Sequence, residues 1–400
     1  MTRPLTCLIL AAGLALPAHG AVTFDSSIEC GNGEAFTQTA SDTYSFEIEA
    51  DTNAADRQWF HFAVGGAAGR TLTLRVLNIE DTNVPSHWRH ARPVASSDGG
   101  ATWHRVRGLV STDGDEYRFT HTFTGDDERI ALHFPYSLTH AQERLTHWAG
   151  HPDVTRIEIG RSVEGRPIEL LRITHGPAAP ADGKSGVWVV ARQHAAETPG
   201  SWMMDGLVEF LLSDDARADA LRRAAVFNVV PMCNPDGVFA GNYRQNAAGV
   251  NLNRVWNAPD PATSPEIQAI VDAIAAWVAE GHSYDFFADL HADSGALSNY
   301  AFHPPPGMMP PPYHERLLDI LHRVEQIAPD FTARRGESGS RGRGVSRQSQ
   351  MFGHGVLALL FENGYTYPAY GPQAHRYMTP ARHAAIGEAI GLALHGHFLE

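Results

Sequence analysis

The sequence predicts a small all-β sandwich over residues 21–135, followed by an α/β unit over 136–400 with a central sheet flanked by helices. Three observations lead there. Apolar and polar residues alternate between about 22 and 135, as in Tyr44, Phe46 and Ile48 or Leu72, Leu74 and Val76, which is the period of a half-buried strand. Beyond Pro135, apolar runs at 168–173, 187–191, 226–230, 285–290 and 356–361 alternate with helical segments, the pattern of a sheet covered on both faces. The chain's 400 residues, 43% hydrophobic and 19% charged, also exceed what one core usually organises.

The first twenty residues read as an export signal: Arg3 near the start, an apolar run from Leu5 to Leu16, and small Ala18 and Gly20 before the expected cut. The mature chain is therefore expected in the periplasm or secreted. That run is too short to span a bilayer and no later stretch approaches about 18 uninterrupted apolar residues, so no integral membrane association is expected. Turn chemistry at Ser97-Asp98-Gly99-Gly100 and Asp113-Gly114 separates strands of the sandwich. In the second unit a helix is predicted from about Pro199 to Leu212. Another begins near Thr263-Ser264-Pro265-Glu266, where Thr263 and Glu266 form a capping box and Pro265 suits the first turn, and a third begins near Thr379-Pro380. The proline-rich run from His303 to Pro312 reads as an extended surface loop. A formal charge of -14, from 31 basic and 45 acidic residues, sets aside a nucleic-acid binder, which needs a basic footprint. Behind the leader, Cys30 and Cys233 are compatible with a disulfide in an oxidising compartment, but their wide separation does not establish one.

The chemistry concentrates where predicted strands end. His194-Ala195-Ala196-Glu197 lies just beyond the run Val187–Ala191 and just before a helix. The same H-x-x-E spacing recurs at His140/Glu143, His322/Glu325 and His397/Glu400, so in a chain with 22 histidines the spacing alone selects nothing. Position selects, because reactive groups of α/β sheets gather at the carboxyl ends of strands, whereas the other pairs fall in a linker or in helices as surface contacts. His291, ending Tyr284–Leu290, and Glu362, ending Val356–Phe361, meet the same test. Two imidazoles and a carboxylate are the ligand set of catalytic zinc, which leaves a position for water. We assign His194, Glu197 and His291 to one zinc ion per chain and Glu362 to general base and acid catalysis on the water and leaving amine.

Several segments around these residues resemble the zinc carboxypeptidase family, and within it the cytosolic-carboxypeptidase-like subfamily. Arg192–Ser201 resembles the first zinc motif and Asn234-Pro235-Asp236-Gly237-Val238 a turn after a central strand. Gly241-Asn242-Tyr243-Arg244 with Gly249–Trp256 resembles the substrate-anchoring segment, and Asp289-Leu290-His291 the strand of the third ligand. Upstream, Trp59-Phe60-His61-Phe62, Ser96–Trp103 and Phe134-Pro135-Tyr136-Ser137 are similar to the β-sandwich that precedes the catalytic domain in the subfamily. The resemblance implies an α/β catalytic domain with a mixed central sheet flanked by helices, and a metallocarboxypeptidase acting on peptide or protein C-termini. Asn253 and Arg254 would hold the terminal carboxylate, and Arg244 would polarise the scissile carbonyl; a planar guanidinium suits both tasks. Two positions depart from the subfamily. Asn251 replaces a frequent acid, and Asp293 stands where a second histidine is common; Asp293 is either a partner orienting a ligand or a loop carboxylate.

The subfamily often removes acidic C-terminal residues, which calls for a cation in the specificity pocket. Arg334, Arg335, Arg341, Arg343 and Arg347 cluster with only Glu337 among them, and Arg343 and Arg347 are the pocket candidates. The competing reading of that stretch is a mobile loop spaced by glycines. Two other functions fit less well: a zinc deacylase of N-acyl amino acids on the same scaffold, and a non-catalytic binding protein with the β unit as its partner surface.

Overall fold

A computed structural model describes residues 21–400; the segment read as an export signal lies outside the described residues. The N-terminal unit contains β1 (Thr23–Asp25), β2 (Glu34–Ala40), β3 (Thr43–Glu47), β4 (His61–Gly65), β5 (Thr71–Val76), β6 (Val94–Ser96), β7 (His104–Arg105), β8 (Val110–Asp113), β9 (Glu116–Thr122) and β10 (Asp127–Ala131). Among the described residues they form two five-stranded sheets, ordered β1-β4-β10-β6-β7 and β2-β3-β5-β9-β8. Alternation places the apolar set of each strand inward. Phe46, Phe60, Phe62 and Phe119 are fully buried, with Phe60 and Phe119 stacked at 6.1 Å. Truncating one of these rings to alanine costs about 3–5 kcal/mol, because the cavity left behind closes only in part.

Ser137 caps α1 (Leu138–Ala149) by accepting from the His140 amide. The second unit continues with β11 (Val154–Arg161), β12 (Pro167–Ile173), β13 (Ser185–Ala191), α2 (Thr198–Leu211), α3 (Ala216–Ala224), β14 (Ala225–Val230), α4 (Pro235–Ala240), α5 (Pro265–Ala279), β15 (Phe286–Asp293), β16 (Tyr300–Phe302), α6 (Pro311–Ile327), α7 (Ser346–His354), β17 (Leu357–Gly364) and α8 (Pro380–Leu399). Its sheet runs β11-β12-β14-β13-β15-β17-β16, with β14, β13, β15 and β17 parallel and the outer strands antiparallel, so it is mixed. The central strands are buried on both faces, which is why their sequences read as continuous apolar runs rather than alternations.

Two local expectations change, and the question left open at the cysteines is answered. The start of α5 has Ser264, not Thr263, in the capping position, and the Glu266 carboxylate turns inward to Asn246 instead of closing a box. The proline run is not loop throughout, because Pro311 and Pro312 begin α6, where missing amide hydrogens cost nothing. Cys30 and Cys233 are free and buried. Cys30 packs with Met232 and Val238, while Cys233 faces the opposite core, so neighbours along the chain carry the thiols apart. Among the described residues no helix is long and apolar enough to cross a membrane.

The two units are not separate bodies. Ala196 and Tyr243, both from the second unit, are members of the sandwich's hydrophobic core. Each lies within two residues of a predicted site residue.

Candidate metal centre and substrate cavity

Strand geometry assembles the site. β15 and β17 pair in parallel with His291 opposite Glu362, so the two side chains emerge together at the carboxyl ends of adjacent strands. β13 ends at Ala191 beside Leu290, and the chain then turns through Arg192 at φ 63°. That strained residue is held by its own guanidinium, which donates to the Ala195 carbonyl (2.7 Å), Ser201 Oγ (2.9 Å) and the Tyr136 carbonyl (3.0 Å). Gly200 in the first turn of α2 permits close approach to β15: a Cβ there would stand 2.4 Å from the Leu290 carbonyl oxygen.

One donor atom from each of His194, Glu197 and His291 falls within 4.8 Å of the other two. Glu197 lies between the imidazoles, its Oε1 2.8 Å from His194 Nδ1 and its Oε2 2.7 Å from His291 Nδ1. Burial raises the proton affinity of the Glu197 carboxyl, but the two imidazoles beside it outweigh burial and hold the group ionised. Burial pushes His194 down to about 4. The outer nitrogens are also fixed, His194 Nε2 at 3.0 Å from Asn251 Oδ1 and His291 Nε2 at 2.9 Å from Asp289 Oδ2. Such bonds turn both Nδ1 atoms inward as ligands. The two nitrogens and one carboxylate are a donor set that fits zinc and leaves a position for water.

Two of the three donors, His194 and Glu197, line a cavity of about 360 Å³ that is also lined by Arg244, Asn253, Arg254 and Glu362. Glu362 Oε2 is buried without a hydrogen-bond partner, and burial followed by the nearby Glu197 charge raises its proton affinity well above that of an ordinary carboxyl. Arg254 donates to the Asn253 carbonyl (2.7 Å), and burial together with the Arg244 charge lowers its pKa. Asn253 Oδ1 accepts from the Ser346 amide (2.9 Å), and its Nδ2 lies 3.2 Å from His291 Nε2, a nitrogen that gives its own hydrogen to Asp289 and accepts none, so among the described residues the Asn253 amide hydrogens find no acceptor.

The two specificity candidates separate. Arg347, in the first turn of α7, lines the cavity with Phe302 and Leu360 and is 1% exposed. Neither terminal nitrogen of its guanidinium has a hydrogen-bond partner, and burial pushes its pKa down to about 10. Arg343 stands elsewhere, exposed beside Trp256 and His354. Gly344 explains the divergence: its carbonyl accepts from the Trp256 amide (3.0 Å), and a Cβ on it would stand 2.3 Å from the Arg254 carbonyl oxygen. The chain is pinned there, with Arg343 and Arg347 on opposite sides of the pin.

Asp293 also lines the cavity, but it accepts from Tyr300 Oη (2.9 Å) and the Gly295 amide (2.8 Å) and orients no ligand. The ligand-orienting carboxylate is Asp289, which is absent from the residues predicted for the site. Its signal was present, since residues two apart on a strand share a face and Asp289 precedes His291 by two. Val84 of the sandwich lines the cavity as well, and no local pattern announces it. Among the other H-x-x-E pairs, His140 and Glu143 make an exposed contact of 3.9 Å on α1.

Comparison with known proteins gives concordant matches. The profile of the family described as zinc carboxypeptidase matches residues 145–344, half of the chain, and that described as cytosolic carboxypeptidase N-terminal domain matches residues 24–134. Cytosolic carboxypeptidase 6 of Caenorhabditis elegans is 28% identical over 70% of this chain, and that of Mus musculus 30% identical over 72%. The matches span 64% and 56% of those two proteins, less than two thirds of either. The structure of a metallo-carboxypeptidase from Burkholderia cenocepacia superposes with a TM-score of 0.87 at 29% identity, covering 94% of this chain and 99% of that one. The metallo-carboxypeptidase from Pseudomonas Aeruginosa in complex with (2-guanidinoethylmercapto)succinic acid gives 0.82 at 28% identity, covering 94% and 98%.

Proposed function

The chain belongs to the zinc carboxypeptidase family, and from that premise we propose that it is an exported metallocarboxypeptidase releasing single C-terminal residues, acidic ones preferred, from peptides or proteins. The observation that supports this best is the convergence of His194, Glu197 and His291, with the first two lining one cavity together with Arg244, Asn253, Arg254 and Glu362.

Zinc held by those three residues supplies a Lewis acid that polarises a carbonyl and acidifies water. The planar fork of Arg254 takes the substrate's terminal carboxylate, assisted by a spare amide hydrogen of Asn253. Arg244 faces the scissile carbonyl and stabilises the negative charge that develops on its oxygen. Glu362, buried and unpartnered at Oε2, takes a proton from the attacking water and passes it to the leaving amine. Arg347 supports the acidic preference: a buried guanidinium without a partner is costly, and a side-chain carboxylate from the substrate satisfies it. Export rests on residues 1–20, and the mature N-terminus is expected near residue 21.

The test is amino-acid release from a mixed panel of short peptides by the mature protein, with stoichiometric zinc and after chelation. Chelator-sensitive release of single C-terminal residues, glutamate and aspartate fastest, is the expected result. Bound zinc without release would point to N-acyl amino acids as substrates. Absence of bound zinc would leave a binding protein.

A further inference from the structure

Asp51 belongs to the loop between β3 and β4 of the sandwich, yet its carboxylate is embedded in the backbone of the second unit. It is 3% exposed. Its Oδ1 accepts from the Tyr243 amide (2.5 Å), and its Oδ2 accepts from the amides of Arg244 (2.7 Å) and Gln245 (2.8 Å). Three consecutive N–H groups converging on one anion form a backbone nest, here filled by a side chain nearly two hundred residues upstream in sequence.

The contact continues on both sides. The amide and hydroxyl of Thr52 both donate to Asn242 Oδ1 at 3.0 Å, and Asn53 Nδ2 donates to the Ala247 carbonyl at 2.8 Å. Gly249, at φ +74°, lies so close that a Cβ would stand 2.4 Å from the Asn53 carbonyl oxygen. The Tyr243 carbonyl accepts from the Ala196 amide (2.8 Å), next to the zinc ligand Glu197. Arg244 has no comparable support of its own. Among the described residues its guanidinium makes no hydrogen bond or ion pair with the protein, so its position at the cavity is set by its main chain, which Asp51 holds.

We propose that Asp51 is a positioning residue: through the amides of Tyr243, Arg244 and Gln245 it fixes Arg244 at the cavity, so that the sandwich supplies part of the site that stabilises the transition state. The role given to Arg244 rests on the carboxypeptidase reading, whereas the anchoring of its main chain does not. Displacing a charge-stabilising group by about 1 Å is enough to cost about a hundredfold in rate.

The experiment is a double-mutant cycle on the full mature chain: wild type, D51A, R244A and D51A/R244A, assayed for kcat and KM on one blocked dipeptide, with zinc content and amide hydrogen exchange measured on each protein. The expected result is a fall in kcat of about 10–100-fold in D51A with KM within about threefold, one zinc per chain, and less than about twofold further loss when D51A is added to R244A. The same loss from D51A with and without Arg244, or unchanged kcat in D51A, would overturn the proposal. D51N retains one acceptor oxygen and takes the place of D51A in the same cycle if D51A does not fold. Exchange at Tyr243, Arg244 and Gln245 reads the anchor without turnover: slow in wild type and faster in the Asp51 variant is expected, at all three amides in D51A and at least at one in D51N, and equal rates overturn the proposal. If wild type releases nothing from any peptide, the carboxypeptidase reading has failed, and the exchange rates alone decide whether Asp51 holds the turn.

Discussion

At the scale of single residues, the proposed mechanism separates metal binding from proton transfer. Glu362 is no part of the donor set, so Glu362→Gln should retain one zinc per chain while lowering kcat by about three orders of magnitude or more. His194→Ala should lose the metal itself, as elemental analysis of the purified variant would show. Arg347 and Arg343 offer a second contrast. Arg347→Ala should reduce kcat/KM for peptides ending in glutamate by about a hundredfold and leave those ending in alanine within a few fold, since the carboxylate loses the buried, unpartnered cation that lines the cavity. Arg343→Ala should change neither, because that side chain lies outside the cavity. Equal effects from the two substitutions would remove Arg347 from the specificity pocket.

At the scale of an element, the start of α5 carries a pH dependence. Glu266 is buried, with Asn246 Nδ2 at 3.2 Å, and burial lifts its pKa from 4.5 to about 7. Between those values the folded protein holds a proton that the unfolded chain has released. The contribution is therefore fully present below about 4.5 and is lost as pH rises through about 7, a swing of roughly 3 kcal/mol at most. Glu266→Gln should accordingly raise Tm by a few degrees at pH 8 and leave it nearly unchanged at pH 5, measured by thermal melts at both values. A Tm difference independent of pH would mean that Glu266 is ionised in the folded protein. The residue also shows how a sequence pattern misleads: a glutamate three residues after a threonine has the spacing of a capping box, but its side chain is drawn into the interior by a polar neighbour twenty residues upstream.

At the scale of the molecule, the sandwich and the α/β unit share hydrophobic residues and hydrogen bonds at the functional centre. Ala196 and Tyr243 sit in the sandwich core, and His87 Nδ1 lies 2.8 Å from the Ser294 carbonyl oxygen. Loss of either unit strips partners from buried groups of the other, so calorimetry should show one unfolding transition rather than two. Zinc binds the folded state through a buried donor set, so chelation should lower Tm by several degrees and metal should restore it. Two resolved transitions, or a Tm indifferent to chelator, would count against this coupling.

The two-unit order, a sheet buried on both faces, and the placement of His194, Glu197, His291 and Glu362 together at the carboxyl ends of strands are legible in the bare sequence, because each rests on local periodicity or on position at a strand end. Asp289 is legible on the same grounds, as the residue two before His291 on one face of β15. The separation of Arg343 from Arg347 is not, since both lie in one glycine-spaced basic stretch and only the contact of Gly344 with Arg254 and Trp256 directs one away and the other inward. Nor is Asp51, an ordinary loop aspartate until folding brings it against the amides of residues 243–245. Periodicity and strand ends are properties of neighbouring residues and survive in a linear string. A hydrogen bond between residues nearly two hundred positions apart depends on how two finished surfaces meet, and that is settled only in the folded chain.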